Sequence, residues 1–554
     1  MVSAVLITVV SFGSLSFVDN DFEFGKNLDI FASLFRELSI YYVDETDPGK
    51  LIESGIDGML ESLDPYTTFI PESEMENHRF AITGQYGGIG SLIRKRGDQV
   101  LVAEPYEGFP AEKAGLLAGD IILKVDGKEI SGKNTSEVSK VLKGQPGTIV
   151  KLLIKREDKE DPFEAVITRE EIKIKSVPYY GILEDGIGYI KLNNFTSKAL
   201  SEVKAALNKL REDNDLNGLI FDLRGNPGGL LRESVNIVNL FVEKGEEIVS
   251  TRGKLENLAK VHRAINAPVD TQVPLVVLVN RNSASASEIV AGAIQDLDRG
   301  VIVGQKTFGK GLVQQTIKLT YNTQLKVTTA KYYIPSGRCI QALDYSHRND
   351  DGSVGKVPDS LMTEFKTKNG RVVFDGGGIE PGVKTERQKR SNIAARLMSK
   401  MLIFDYANLY RRNHDKISSA RDFKFTDDDY ADFVSFLKDK DYDYTTKSER
   451  KLEELKKIAQ KEKYFENAKV EYEALEKKLT HSNEEDLVKF KDEVIRLLEG
   501  EIAVRYYFQQ GRIEAALVED TDVLKALEVL KDEAWYASIL EGTYESKAIE
   551  EEKE

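Results

Sequence analysis

The chain has 554 residues, of which 41% are hydrophobic, so it is long enough for three or more domains with buried cores. Its formal net charge of −15 argues against a nucleic-acid partner, because such a partner favours a basic surface. Cys339 is the single cysteine, which excludes an intrachain disulfide and argues against a cysteine zinc site.

A strongly apolar run occupies residues 2–17. It has the length of a signal-peptide core and is short for a membrane span, although no Lys or Arg precedes it. A buried first helix or strand is the alternative. We favour a signal peptide or membrane anchor over residues 1–20, which predicts a protein that is exported, periplasmic or anchored to the membrane on its outer side.

Two apolar stripes at helical spacing follow the apolar run, over residues 26–43 and 51–63. The segment that begins with Leu63, Asp64 and Pro65 then breaks the second helix. The pattern predicts a small N-terminal helical cap over residues 21–83.

A glycine-rich segment opens a third unit, in which strand-like runs alternate with one predicted helix. Asn134 and Glu137 have the spacing of a capping box, which predicts a helix over residues 135–143, and a strand is predicted at 149–155. The run Ala-Gly-Leu-Leu-Ala-Gly-Asp-Ile-Ile from Ala114 to Ile122 resembles the pattern of PDZ domains. This resemblance assigns residues 84–157 to a PDZ domain.

PDZ domains add a peptide as a strand beside their sheet and hold its terminal carboxylate with backbone N–H groups. Glycines in such a loop let several N–H groups converge on one ligand. The alternative is an ordinary glycine-rich hairpin. The tail-binding loop implied here consists of Tyr86, Gly87, Gly88, Ile89 and Gly90.

Repeated strand-then-helix units occupy residues 158–385 and predict layered α/β structure. One buried strand is predicted at 218–224, and the glycine-rich segment 225–229 follows it. A glycine pair at a strand end can turn N–H groups toward a ligand. The alternative is a plain turn.

A second strand-to-helix turn follows the predicted buried strand at 273–279, and it contains Ser283, Ser285 and Ser287. A serine there resembles a nucleophile elbow, but its hydroxyl needs a base. None of the five histidines lies in a stretch that looks like a catalytic turn, whereas Lys310 lies between two glycines. A buried lysine can serve as the base because desolvation lowers its pKa. The alternative is a helix cap and a surface lysine.

Two segments resemble the carboxyl-terminal processing proteases, also called tail-specific proteases. They are Ser-Ala-Ser-Ala-Ser-Glu at 283–288 and Gly-Gln-Lys-Thr-Phe-Gly-Lys-Gly-Leu-Val-Gln at 304–314, and the likeness extends over roughly residues 26–385. These serine peptidases use a Ser–Lys pair that is often assisted by a glutamine. The resemblance implies Ser285 as the nucleophile, Lys310 as the base and Gln314 as the assisting residue. It is the resemblance that chooses among the three serines.

The same resemblance implies an oxyanion hole formed by two backbone N–H groups. One donor would be Ala286, the residue after the serine. The other would come from the glycine-rich loop, where Gly229 is favoured and Gly228 is the close competitor. No metal or cofactor is implied. Dimerisation through the N-terminal helices is known in some relatives, which leaves a homo-oligomer open.

Residues 386–554 contain no proline and are rich in Glu, Lys, Leu and Ala, which predicts long helices. We expect them to dock on the protease or on a second subunit. A packed seam between helices is predicted from the spacing of Leu452, Leu455, Ala459, Leu475 and Leu479.

Together these patterns predict a multidomain α+β protein. A crotonase-like ββα-spiral protease core carries an inserted PDZ domain, an N-terminal helical segment and a C-terminal helical domain. The favoured function is a serine endopeptidase that recognises free, apolar C-termini of proteins or peptides. The rival is a non-catalytic protein that binds tails on a scaffold core. Acyl-CoA chemistry also occurs on this core fold, but the Ser–Lys pair argues against it.

Overall fold

The computed structural model describes residues 2–213, 215–349 and 352–544, and for residues 2–21 it describes the backbone alone. The chain divides into two compact units. The smaller unit comprises Met1–Met75, Val313–Ala330 and Asp344–Gly355. The larger unit comprises Glu76–Leu312, Lys331–Leu343 and Lys356–Glu554.

Helices occur at both ends of the chain and between the strands of the middle. The α-helices of the described residues are α1 Val2–Tyr41, α2 Pro48–Glu61, α3 Met75–Thr83, α4 Pro110–Lys113, α5 Thr135–Leu142, α6 Ala199–Asp213, α7 Leu231–Val238, α8 Ala286–Asp296, α9 Asn392–Ser399, α10 Leu402–Asn413, α11 Asp427–Leu437, α12 Lys447–Lys461, α13 Lys469–Leu479, α14 Asn483–Lys489, α15 Lys491–Leu517, α16 Thr521–Lys531 and α17 Glu533–Glu541.

Among the described residues, strands occur only between α2 and α9. They are β1 Thr68–Ile70, β2 Gln85–Gly88, β3 Ser91–Arg96, β4 Gln99–Pro105, β5 Ile121–Val125, β6 Lys128–Glu129, β7 Ile149–Lys155, β8 Phe163–Thr168, β9 Glu170–Lys173, β10 Tyr179–Ile182, β11 Ile187–Lys191, β12 Gly218–Asp222, β13 Glu247–Arg252, β14 Lys260–Arg263, β15 Leu275–Val279, β16 Val301–Gly304, β17 Leu312–Lys318, β18 Gln324–Tyr333, β19 Leu343–Arg348, β20 Val354–Lys356, β21 Glu364–Lys366, β22 Val372–Phe374 and β23 Val383–Lys384.

The smaller unit contains α1, α2 and a short sheet in which β18 pairs antiparallel with β1 and also pairs with β17. Asp47 caps α2 by accepting the N–H groups of Gly49 and Lys50, and Pro48 lies at the first turn. The predicted signal or anchor segment at 1–20 lies outside the residues whose side chains are described. Where side chains are described, no helix is long and apolar enough to span a membrane.

The PDZ region of the larger unit has one sheet in the order β3-β4-β5-β7-β8, with β6 paired to β5. The capping box is present, since Asn134 Oδ1 accepts the Glu137 N–H at 2.9 Å and Glu137 Oε2 accepts the Asn134 N–H at 2.8 Å. The strand predicted at 149–155 is β7. Strand β8 continues this sheet beyond residue 157.

The sheet that positions the candidate site has the order β10-β11-β12-β15-β16-β23. Strands β11 to β23 in that order are parallel, and β12, β15 and β16 are buried along their whole length. Burial of both faces explains their continuous apolar sequences, because an exposed face would require alternating polar residues. Parallel strands place their carboxyl ends at one edge, so the loops after β12 and β15 become neighbours.

The C-terminal helices complete this core. Apolar residues of the central sheet, including Tyr189, Ile220 and Leu278, share one buried cluster with Leu527 of α16 and Ile539 of α17. These helices therefore cover one face of the central sheet. The earlier helices α9, α10, α11 and α14 form a second cluster with the first half of α15.

The predicted seam in the helical domain is only partly present. Leu452 is buried beside Phe465 and Tyr472, and Ala459 packs against them. Leu455, Leu475 and Leu479 are exposed instead. The prediction fails for these three residues because α12 and α13 pack chiefly on one another, which leaves their outer faces in solvent.

Candidate active site

Ser285 lies between β15 and α8 in a backbone conformation that side chains rarely adopt. Its φ is 57° and its ψ is −113°. Positive φ at a non-glycine residue outside the left-handed helical region stores strain, and such strain concentrates at functional sites. A nucleophile at a strand-to-helix elbow has this kind of sharp turn, which lifts its hydroxyl out of the sheet.

The structure separates the three serines that the sequence alone leaves equivalent. The Ser283 hydroxyl donates to the Leu223 carbonyl at 2.9 Å, and the Ser287 hydroxyl donates to the Asn226 carbonyl at 2.9 Å. Both side chains are fully buried, so their hydroxyls serve the fold. Ser285 is partly exposed and has the strained backbone, which favours it as the nucleophile.

Glu288 joins the serine turn to the lysine loop. Its Oε2 accepts the backbone N–H groups of Ser285 at 2.8 Å and Lys310 at 2.9 Å. Its Oε1 accepts the Gly309 N–H at 2.7 Å and the Thr307 hydroxyl at 2.6 Å. One buried carboxylate therefore holds the predicted nucleophile and the predicted base beside each other through their backbones.

The protonation of Glu288 is finely balanced. Burial raises its pKa from the usual 4.5 to about 7, although the four hydrogen bonds from Thr307, Lys310, Gly309 and Ser285 act in the opposite direction. The carboxyl therefore changes charge near neutral pH. Because its hydrogen bonds weaken when the charge is lost, the link between the two loops depends on pH.

The lysine loop needs glycine on both sides of Lys310. Gly309 has φ 86°, and a Cβ there would lie 2.4 Å from Ala342 Cβ. A Cβ on Gly311 would lie 2.9 Å from the Gln341 backbone nitrogen. The loop therefore fits closely against residues 341–342, where Gln341 also accepts the Gly311 N–H at 2.7 Å. Lys310 itself is half-buried.

Asn226 organises the glycine-rich loop after β12. Its side chain accepts the Gly228 N–H at 2.9 Å and donates to the Leu192 carbonyl at 2.9 Å. Its own carbonyl accepts the Ala284 N–H at 3.1 Å. This fully buried residue fixes the loop against the serine turn.

The two glycines proposed as oxyanion donors differ in what their N–H groups do. The Gly228 N–H is taken by Asn226, whereas no hydrogen bond of the described residues engages the Gly229 N–H. Gly229 forms a parallel bridge with Phe195, in which the Phe195 N–H donates to the Gly228 carbonyl and the Leu230 N–H donates to the Phe195 carbonyl. This bridge does not use the Gly229 N–H. Gly229 therefore keeps a backbone donor that Gly228 has already used, and the choice between them as oxyanion donor stays a prediction.

Ala286 is the first residue of α8, so its N–H has no acceptor within the helix. Gly228 approaches it closely, since a Cβ on Gly228 would lie 3.0 Å from the Ala286 nitrogen. The glycine loop and the helix start are thus in direct contact. A helix N-terminus also favours negative charge, as a developing oxyanion requires.

Tyr332 supports the serine from the opposite side. Its hydroxyl donates to the Ser285 carbonyl at 3.2 Å, and its ring is fully buried. Burial, with the nearby Glu288 carboxyl, holds the pKa of Tyr332 well above its usual range, so it remains a donor.

Gln314 belongs to the smaller unit, whereas Ser285 and Lys310 belong to the larger one. Within its own unit, Gln314 Nε2 donates to Thr328 Oγ1 at 3.0 Å, and Thr328 Oγ1 in turn donates to Asp64 at 3.2 Å. Its role beside Lys310 stays a prediction.

The predicted tail-binding loop is part strand and part turn. Tyr86, Gly87 and Gly88 lie in β2, which pairs antiparallel with β9. Ile89 is buried, and Gly90 has φ 73° at the turn into β3. A Cβ on Gly87 would lie 2.1 Å from the Gly144 carbonyl oxygen, and one on Gly90 would lie 2.5 Å from Phe109 Cβ. These two glycines are required by close packing.

Glu288, Asn226 and Tyr332 were not identified from the sequence. Glu288 had a readable signal, since Ser285 and Glu288 have the Ser-x-x-Glu spacing of a capping box. Asn226 and Tyr332 act through contacts with residues distant in the chain, which sequence spacing does not reveal. In the part of the chain that the structure describes, no group of His, Cys, Asp or Glu side chains could hold a metal ion.

Three family models match separate parts of the chain. They are "Peptidase family S41" at residues 186–346, "PDZ domain" at 101–156 and "Probable PDZ-protease, C-terminal helical domain" at 393–530. The matches to a protease core, a PDZ domain and a C-terminal helical domain confirm the predicted fold class.

Curated relatives extend the match over most of the chain. The "Carboxy-terminal-processing protease" of Bartonella bacilliformis is 41% identical over 321 residues, which cover 57% of this chain and 73% of that protein. A "Probable CtpA-like serine protease" of Staphylococcus aureus is 37% identical over 390 residues, which cover 69% of this chain and 75% of that protein.

Among solved structures, a photosystem II D1 C-terminal processing protease is 28% identical and matches 64% of this chain and 86% of its own, with a TM-score of 0.35. That score is too low to support an inference about this chain. The sequence matches suffice: the chain belongs to peptidase family S41, with the carboxy-terminal-processing proteases, and is a serine-type peptidase with a PDZ domain and a C-terminal helical domain.

Proposed function

We propose that this protease cleaves protein substrates through a Ser–Lys acyl-enzyme mechanism and recognises their C-terminal tails with its PDZ domain. The observation that carries the proposal is the shared Glu288 carboxylate, which binds the backbone N–H groups of both Ser285 and Lys310. It joins a strained serine elbow to the glycine-flanked lysine.

In the proposed reaction, neutral Lys310 removes the Ser285 proton as the serine oxygen attacks the substrate carbonyl carbon. The tetrahedral intermediate collapses when the protonated lysine returns a proton to the leaving amine and the peptide bond breaks. This leaves the substrate's acyl group as an ester on Ser285. Water then attacks that ester, with Lys310 again as the base, which releases the carboxylic acid product and regenerates Ser285. Gln314 is proposed to orient the lysine amine. No step uses a metal or cofactor.

The N–H groups of Ala286 and Gly229 are proposed to hold the oxyanion. Both residues lie at the contact between the serine turn and the glycine loop, and neither N–H is engaged within the described residues. Backbone donors that are already fixed in place stabilise developing charge without reorganisation. Gly228 is proposed to support the hole through its contact with Ala286.

For tail recognition, we propose that the free carboxylate binds the loop from Tyr86 to Gly90 and that the tail adds as a strand between β3 and α5. Both flanking elements carry exposed apolar side chains, Leu92 on β3 and Val141 on α5. These support a preference for an apolar last residue.

Amidation of a substrate's C-terminus should weaken cleavage, because it removes a charge and one acceptor oxygen from the group that the loop binds. Charge-assisted hydrogen bonds are roughly twice as strong as neutral ones. The measurement is kcat/KM for the free-acid and amide forms of one peptide with an apolar last residue. Equal cleavage of the two forms by the intact enzyme would contradict tail recognition.

A matched pair of variants localises this effect to the loop. Gly90→Ala should imitate amidation, because its Cβ would meet Phe109 at 2.5 Å and force the turn open. Gly97→Ala is the control, since Gly97 also has a positive φ of 56° in the same domain but has no neighbour within 4 Å of an added Cβ. The control should keep the preference for the free acid.

The central test is cleavage of an unfolded reporter protein that ends in an apolar tail. The wild type should cut it, and Ser285→Ala should bind without cutting. If Ser285→Ala retains wild-type cleavage, the nucleophile assignment is wrong.

We also propose that the protein is exported or membrane-anchored outside the cytoplasm, on the basis of the apolar run at 2–17. Fractionation of cells that express the full chain checks this. Recovery of all the protein from the cytoplasmic fraction would contradict it.

A homo-oligomer is proposed from the exposed apolar side chains of α1, such as Leu28, Leu34 and Leu38. Light scattering after size-exclusion chromatography measures the assembly. Replacement of all three leucines by glutamine should then reduce the mass to that of the monomer, and a wild type that is already monomeric would contradict the proposal.

Activity should rise through about pH 7, because Glu288 then ionises and strengthens its bonds to the Ser285 and Lys310 N–H groups. Glu288→Gln removes the titration. The glutamine oxygen is expected to face the Ser285 and Lys310 N–H groups. In this orientation its amide nitrogen can donate to the Thr307 hydroxyl, and only the bond from the Gly309 N–H is lost. We expect roughly tenfold lower kcat and no inflection near pH 7, on the scale of one charged hydrogen bond.

The control for this experiment is Glu380→Gln, since Glu380 is partly exposed and should leave the inflection in place. The pH dependence of the free energy of unfolding gives an independent check that the pKa of Glu288 is raised in the folded protein. The folded pKa of Glu288 is about 7 and its ordinary value is 4.5, so the unfolded chain releases this proton first. The protonated Glu288 carboxyl therefore adds to the free energy of unfolding below about pH 4.5, and this stabilisation is lost as pH rises through about 7. An unchanged pH profile in Glu288→Gln would show that Glu288 does not control the site.

A further inference from the structure

The C-terminal helix α16 is bound to the start of the glycine-rich loop by an ion-pair cluster. Arg224 Nη1 lies 2.7 Å from Asp520 Oδ1 and 2.9 Å from Asp522 Oδ2. Asp520 is also the N-cap of α16, where the same Oδ1 accepts the N–H groups of Asp522 and Val523. One oxygen thus binds both the helix start and the arginine.

The other side of Arg224 is held by the end of strand β12. Arg224 Nη2 lies 2.7 Å from Asp222 Oδ2, and Asp222 also accepts the Tyr189 hydroxyl at 2.6 Å. Lys191 pairs with Asp222 at 3.1 Å. Burial opposes ionisation of Asp222, but Arg224 and Lys191 outweigh it and lower its pKa, so the carboxylate is charged.

This cluster contains more anions than cations. Two cations, Lys191 and Arg224, face Asp222, Asp520 and Asp522. Neutralising both Asp520 and Asp522 would leave two cations facing one anion, and unpaired charge in such a largely buried group is strongly unfavourable. Arg224 would then be held by Asp222 alone.

The backbone of Arg224 leads directly into the oxyanion loop. Its N–H donates to Asp222 Oδ1 at 2.8 Å, and its carbonyl accepts the Lys191 amine at 2.8 Å. The next residue, Gly225, donates its N–H to Asn280 Oδ1 at 3.0 Å, and Asn226 then binds Gly228. A shift of Arg224 is therefore carried to Gly228 and Gly229.

We infer that Asp520 and Asp522 are positioning residues for catalysis, through which the C-terminal helical domain holds the oxyanion loop in its active geometry. The inference rests on the proposed Ser–Lys mechanism. Misplacement of a catalytic group by about 1 Å can cost on the order of a hundredfold in rate. The helical domain then acts on the transition state as well as covering the core.

The test is the double variant Asp520→Asn with Asp522→Asn in the full chain. Asparagine is also a good N-cap, so α16 keeps its start while Arg224 loses both charges. We expect kcat to fall at least tenfold, with KM within about twofold. Affinity for a peptide boronic acid, which forms a tetrahedral adduct on Ser285, should fall by the same factor as kcat.

Lys531→Gln is the matched control. Lys531 ends the same helix and lies 2.7 Å from Glu184 of the core, distant in sequence from the glycine loop. The control should leave kcat and boronate affinity unchanged. A double variant that is folded and matches the control in both readouts would overturn the inference. A second comparison uses the double variant combined with Ser285→Ala, on which the affinity for the uncut peptide is measured. If that affinity falls as much as the boronate affinity, the defect is a general structural one and the inference is overturned.

If the double variant does not fold, Asp522→Asn alone decides the question, because Asp522 does not cap the helix. It should show a smaller loss with the same pattern, and unchanged kcat would overturn the inference. Failure of the proposed function is distinguishable, since Ser285→Ala would then still cleave and the boronic acid would not inhibit the wild type.

Discussion

Replacement of Lys310 by arginine should reduce peptide cleavage by a factor of about 10² to 10⁴, the contribution typical of general acid–base catalysis. Arginine stays protonated in proteins, so it cannot accept the Ser285 proton. The backbone N–H of residue 310 still donates to Glu288, so the loop should keep its place. The measurement is kcat/KM on the apolar-tailed reporter, with circular dichroism to confirm folding.

The matched control is Lys306→Arg in the same loop. Lys306 is partly exposed and lies 3.5 Å from the Glu380 carboxylate, an interaction that arginine can keep. The control should cleave at the wild-type rate. Near-normal cleavage by Lys310→Arg would remove Lys310 as the base, whereas equal losses in both variants would indicate that the loop had moved.

Local patterns in the sequence were sufficient where local physics decides the structure. The capping box at Asn134, strand β7 and the strand-to-helix turn at Ser285 all follow from spacing over a few residues. The close approach around Gly309 and Gly311 also accounts for the glycines that drew attention to Lys310. In these places the local structure was predictable because the backbone constraint and the residue type lie together in the chain.

Long-range contacts set the remaining features. The sequence does not distinguish Ser283, Ser285 and Ser287, because the carbonyls that accept the first and third come from the loop after β12. Nor does it show that α16 covers the catalytic sheet, since the amphipathic pattern of a helix does not identify its partner. Gln314 was assigned by family resemblance, and its role still rests on that.

Replacement of Gly228 by alanine should lower kcat by about 10² to 10³, the scale of losing one oxyanion donor. The Gly228 N–H already binds Asn226, so the effect does not come from that N–H. An added Cβ would lie 2.7 Å from the Ala284 carbonyl oxygen and 2.9 Å from Ser285 Cβ. These contacts are too short, so the serine turn and the Ala286 N–H must move.

Gly225→Ala separates this displacement from the cost of an alanine at positive φ. Gly225 lies in the same loop with φ 73°, and an added Cβ would have no neighbour within 4 Å. It should lose about 1–2 kcal/mol of unfolding free energy, the usual left-handed penalty, and keep near-normal kcat. Steady-state kinetics gives kcat for both variants, and thermal unfolding gives their stabilities. Because the two glycines differ in what their Cβ would touch, equal kcat values would show that the Gly228 contact does not set the geometry of Ser285 and Ala286.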